Sequence, residues 1–335
     1  MNKREVRFYE KAKRRRFSRE YIPAPEINNL DSLIEISQSK IKYSNINIET
    51  LWQILPDLQK LNSMIGMEEL KETLFYQIIY YLQRLDTVGN NDYLHTVILG
   101  PPGCGKTTVA KIIGEIYKKM NVLSNDGTFK IAKREDFVGE YLGQTAAKTK
   151  RLLNSCLGGV LFIDEAYALG PGQKDKDSFS KEAIDTLNAF LSENKNNFCC
   201  IIAGYEDEIK KCFFSVNPGL ERRFQWVHKI EEYSSYDLTK ILIKLIKEDK
   251  WNTFIEEKEL EKIIEDNKEL FLHLGGDIEN FFTKTKLCHA KRVFSLDPKY
   301  KLTLTKEDFL NSIKMMTKNK LVEKEEYKPP LGMYT

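Results

Sequence analysis

One octapeptide constrains this chain more than any other stretch. Gly100-Pro101-Pro102-Gly103-Cys104-Gly105-Lys106-Thr107 fits the pattern G-x-x-x-x-G-K-[ST], which serves its purpose only between a strand and a helix. A β-branched run at Thr96–Leu99 enters it, and a helical pattern from Val109 to about Tyr117 leaves it. The glycines let backbone N–H groups wrap a phosphate, and the start of the helix adds a favourable dipole. Lys106 is expected to reach the β- and γ-phosphates of a nucleotide and Thr107 to ligate Mg2+, with Thr108 completing the nucleotide-binding set. Cys104 reads as a small filler inside the loop.

Such a loop commits the chain to a mostly parallel sheet covered by helices on both faces. Strands are expected at Thr96–Leu99, Thr128–Ala132, Val160–Ile163, Phe198–Ala203 and Trp226–Ile230, with helices between them such as Lys181–Leu191. After the apolar run Val160–Ile163 come two acids, Asp164 and Glu165, at the strand end where α/β sheets place ligands. Asp164 is suited to holding Mg2+ through water, and Glu165 to polarising a water that attacks the γ-phosphate. An acidic pair alone could merely cap a helix. Behind a complete phosphate loop it points to ATP hydrolysis.

The remainder divides by composition. Residues 1–50 are polar and read as an extension outside the main fold, and residues 51–230 as the α/β nucleotide-binding domain. Residues 231–317 read as a small all-α lid, and 318–335 as a flexible tail. In the lid, Leu238, Ile241, Leu242, Leu245 and Ile246 form an apolar stripe behind a Ser234-x-x-Asp237 cap. The chain is 41% hydrophobic and 30% charged, in the ordinary globular range. No apolar run approaches the ~20 residues that span a bilayer, so no membrane role is expected. The six cysteines show no CxxC spacing, so they read as reduced thiols in a cytoplasmic setting. Cys199 and Cys200, adjacent in a strand, should face opposite sides of the sheet. The first twenty residues carry nine Lys or Arg against three Glu. That run fits a nucleic-acid arm, a nuclear address or a solvated tail.

Further motifs carry a resemblance. Asn62-Ser63-Met64-Ile65-Gly66-Met67, Val138-Gly139-Glu140-Tyr141-Leu142-Gly143-Gln144-Thr145, Ile163-Asp164-Glu165-Ala166-Tyr167, Ala203-Gly204-Tyr205 and Asn217-Pro218-Gly219-Leu220-Glu221-Arg222-Arg223-Phe224 occur in order. With the phosphate loop, they make the chain resemble AAA+ ATPases of the CbbX/CfxQ–SpoVK-like group, which includes red-type Rubisco activase. The resemblance implies a P-loop NTPase core with a helical lid, assembled as a hexamer. It implies that Ile65 and Gly66 lie against adenine. Tyr141, Leu142 and Gly143 would line a central pore and grip a protein client. Arg223, with Arg222 as the fallback, would reach into the neighbouring subunit's site.

Two departures from the pattern stand out. The strand ending at Ala203 and Gly204 lacks the Asn or Thr that orients water in many relatives. The segment Gly275-Gly276-Asp277-Ile278 lacks an arginine, for which Lys284 or Lys286 could compensate. A protein-remodelling motor is therefore the leading expectation. A nucleic-acid ATPase of the loader or helicase type, and an ATP-switched scaffold with weak turnover, are the alternatives.

Overall fold

The computed structural model describes residues 22–39, 41–87, 92–124, 127–141, 143–171 and 178–326. Five parallel strands form the central sheet: β1 (Thr96–Leu99), β2 (Phe129–Ala132), β3 (Val160–Ile163), β4 (Cys199–Gly204) and β5 (Trp226–Lys229). Their spatial order is β2-β3-β4-β1-β5. β1 lies between β4 and β5, with Leu99 level with Gly204 on one side and Lys229 on the other. β3, β4 and β1 are buried throughout, as strands covered on both faces must be. Alternate residues serve alternate faces. Ile98, Phe162, Cys199 and Ile201 join one apolar cluster, and Val97, Leu161, Cys200 and Ile202 join another. The adjacent cysteines thus face opposite sides, as expected.

The strands fall within one residue of their sequence-based bounds. The helix after the phosphate loop is longer than expected, running Lys106–Lys119, and Ser178–Glu193 likewise exceeds its apolar stripe. Ser234 caps helix Ser235–Glu248 in a reciprocal box with Asp237, at 3.1 Å and 2.9 Å. Three lid helices follow, Glu257–Glu265, Gly275–Val293 and Lys306–Glu326.

Two expectations are corrected, and a third is refined. Residues 22–50 do not lie outside the fold. Helix Leu30–Gln38, capped by Asn29, and helix Ile48–Asn62, capped by Asn47, bury Leu30, Leu33, Ile36, Leu51 and Ile54 in the same cluster as the phosphate-loop helix. Asp57 on the second helix is buried and ion-pairs with Lys119 at 2.5 Å. The lid is helical, as expected, with one short addition: β6 (Asn252–Thr253) pairs in parallel with β7 (Thr303–Leu304). The last helix continues through Glu326 rather than ending before a loose tail. The basic run of residues 1–20 lies outside the described residues. Among the described residues, no helix is long and apolar enough to cross a membrane.

Candidate active site

β1 ends at the phosphate loop, and β3 and β4 end beside it. Pro102, Gly103, Gly105, Lys106, Thr107, Thr108, Asp164, Glu165, Tyr167, Gly204, Tyr205, Gly276 and Glu279 therefore enclose one cavity of about 360 Å3. Gly103 and Gly105 adopt left-handed backbone, φ +72° and +88°, which glycine reaches without the Cβ penalty. A Cβ on Gly103 would meet the His273 carbonyl at 2.2 Å, so the lid rests directly on the loop.

Lys106 Nζ donates to the Gly100 and Pro101 carbonyls at 3.1 Å and 2.7 Å and lies 5.8 Å from the Tyr205 ring centroid. The ammonium is thus already at the loop, held by acceptors that a phosphate would replace. Thr107 Oγ1 donates to Asp164 Oδ2 at 3.4 Å, and the Glu165 N–H donates to Asp164 Oδ1 at 3.1 Å. A hydroxyl and a carboxylate meeting at the phosphate loop form the oxygen-donor set that suits Mg2+, so these residues fit the ion. Glu165 has φ +50°, a conformation that costs a non-glycine residue of order 1 kcal/mol and recurs at functional sites. Burial, with help from the Glu165 and Glu208 charges, pushes the Tyr167 phenol up to about 12. Burial also raises the Cys104 thiol against the pull of Lys106. Cys104 is 1% exposed, which fits a filler.

Other anticipated residues stand apart from the phosphate cavity. Gly66 packs on the Tyr233 ring, while Met64 and Met67 approach Gly105. Ile65 and Gly66 are thus near the loop without lining the cavity. Arg223 is tied inside its own subunit: Nε donates to Ser192 Oγ at 2.6 Å, and a terminal nitrogen to the Gly219 carbonyl. Arg222 is exposed. Tyr141 is 68% exposed, Gly143 has φ +82° with open space around it, and Leu142 lies outside the described residues. Lys286 pairs with Asp249 at 2.8 Å, and Lys284 is not among the cavity residues. Sequence reasoning did not assign Tyr167 or Glu279 to the cavity. Tyr205 enters the sequence reading only as the end of the motif Ala203-Gly204-Tyr205. Tyr167 lay in plain sight, two residues beyond Glu165. Glu279 carried no local signal.

A phosphate loop, a Thr–Asp pair and a strand-end glutamate beneath a helical lid define a P-loop ATPase of the AAA type. The family model described as "ATPase family associated with various cellular activities (AAA)" matches residues 96–231. A putative CfxQ-like protein of Acanthamoeba polyphaga mimivirus is 41% identical over 273 residues, covering 79% of this chain and 66% of that protein's length. A CfxQ homologue of Galdieria sulphuraria is 32% identical over 305 residues, covering 84% of this chain and 99% of its own length. The chain belongs to the CfxQ-like AAA ATPases. Among solved structures, the FIGL-1 AAA domain in complex with ADP shares the fold, with TM-score 0.53 and 17% identity over 87% of this chain and 92% of that one.

Proposed function

We propose that this ATPase is Mg2+-dependent and works as a homo-hexameric ring that pulls on a protein client in an intracellular, reducing compartment. Thr107 and Asp164 would hold Mg2+, which when bound supplies charge neutralisation at the phosphates. Lys106 orients the β- and γ-phosphates. Glu165, turned into the cavity by its left-handed backbone, accepts a proton from the attacking water. Arg223 or Arg222 would complete the site from a neighbouring subunit. Arg223 must first release Ser192 and Gly219, whereas Arg222 is exposed at the start.

The motor reading rests above all on Tyr141, a large aromatic side chain 68% exposed beside two glycines. Burying such a ring against a client chain would recover apolar area that the free subunit leaves in water. The nucleic-acid reading rests on residues 1–20, which lie outside the described residues.

The test is steady-state ATPase across protein concentration, for wild type and Tyr141→Ala, with unfolded polypeptide or with nucleic acid. The motor reading expects a cooperative rise with concentration and polypeptide stimulation of wild type alone. An equal response of Tyr141→Ala would remove the pore assignment. Stimulation by nucleic acid only would favour the loader class. The same titration of Arg222→Ala and Arg223→Ala assigns the residue acting between subunits.

A further inference from the structure

The part of the lid that faces the phosphate cavity carries an unexpected charge. Lys106 is the cation among the described residues that line the cavity, against the three acids Asp164, Glu165 and Glu279. Asp164 and Glu165 come from the core and have work to do there. Glu279 comes from the lid, one turn into helix Gly275–Val293. The start of that helix touches the loop, since a Cβ on Gly275 would lie 2.7 Å from the Gly103 carbonyl. No ion pair or hydrogen bond neutralises the exposed Glu279 carboxylate among the described residues, and the nearby Lys286 is committed to Asp249.

We propose that Glu279 is a specificity-determining residue that penalises a nucleoside triphosphate relative to the diphosphate. This rests on reading the cavity as the ATP site. The first turn of the lid helix attracts any phosphate through its N–H groups. The Glu279 carboxylate opposes that attraction, and the opposition is greater for the nucleotide with the extra negative charge. The lid therefore sits more comfortably over the diphosphate, and loss of the γ-phosphate draws it toward the loop. Lid position reports hydrolysis through the sign of this side chain.

The magnitude follows from two charges separated by roughly the width of the cavity near a solvated surface. Removing one should change the triphosphate-to-diphosphate affinity ratio by about three- to tenfold, and less at high salt. The experiment measures displacement of a fluorescent ADP analogue by Mg·ATP and by Mg·ADP in a Glu165→Gln background, which prevents turnover. Glu279→Gln should raise the ATP-to-ADP affinity ratio by that factor, Glu279→Lys should raise it further, and both effects should shrink in 0.5 M salt. An unchanged ratio in both variants would overturn the proposal. Lys106→Ala in the same background tests the site itself. Loss of both nucleotides supports the site, and retention of both rejects it whatever Glu279 does.

Discussion

Replacing Gly103 by alanine separates two costs that the structure keeps distinct. The residue has φ +72°, and an added Cβ would lie 2.2 Å from the His273 carbonyl, about 1 Å short of ordinary contact. Gly143 has φ +82° but nothing within 4 Å of its Cβ position. Both substitutions carry the left-handed penalty for an L-residue, about 1–2 kcal/mol. Only Gly103→Ala also forces backbone against backbone, an overpacking term of about 1–3 kcal/mol. Urea unfolding should therefore show Gly143→Ala losing about 1–2 kcal/mol and Gly103→Ala about 2–5 kcal/mol. If the lid swings away instead of straining, part of the second loss moves into nucleotide affinity, which should fall at least about tenfold for Gly103→Ala alone. Equal stabilities for the two variants, together with unaltered nucleotide binding, would refute the contact between lid and loop.

Two further outcomes are expected. Glu165→Gln should keep ATP affinity near wild type while turnover falls by at least about 10²-fold, read as binding without hydrolysis. Burial lowers the His228 pKa to about 4 and that of His95 to about 3. Above about pH 7.5 both are almost wholly neutral whether folded or not, and they contribute almost no pH dependence. As pH falls from 6.5 toward 4 the unfolded chain takes up protons that the folded one refuses. Stability should then drop by up to about 1.4 kcal/mol per pH unit for each histidine, with a shallower slope in His228→Asn by urea titration.

The legible parts of this molecule were the local ones. The phosphate loop, its flanking strand and the Asp164-Glu165 strand end announce themselves because each needs only its own few residues in order. The Ser234–Asp237 cap is read the same way, from two side chains three positions apart. Helix Leu30–Gln38 escaped notice because it is only nine residues long and follows a Pro- and Asn-containing stretch that reads as loop, and what stabilises it is burial against distant helices. Glu279 could not be placed from sequence for a similar reason. Its position depends on the lid folding back onto Gly103, more than 170 residues earlier. Arg223 shows a third limit, since a motif identifies the residue but not the intramolecular bonds to Ser192 and Gly219 that hold it.

The fastening of the N-terminal helices has a mechanical consequence. Ser44 and Asn45 stitch the backbone of Ile22 and Ala24 to the turn before helix Ile48–Asn62. That helix is clamped in turn to the phosphate-loop helix by Ile54, Leu58 and the Asp57–Lys119 pair. Among the described residues, an unbroken set of contacts joins Ile22 to the phosphate-loop helix. A load applied at Ile22 would act as torque on the helix that carries Lys106 and Thr107, so holding that residue is equivalent to holding the lever of the phosphate loop.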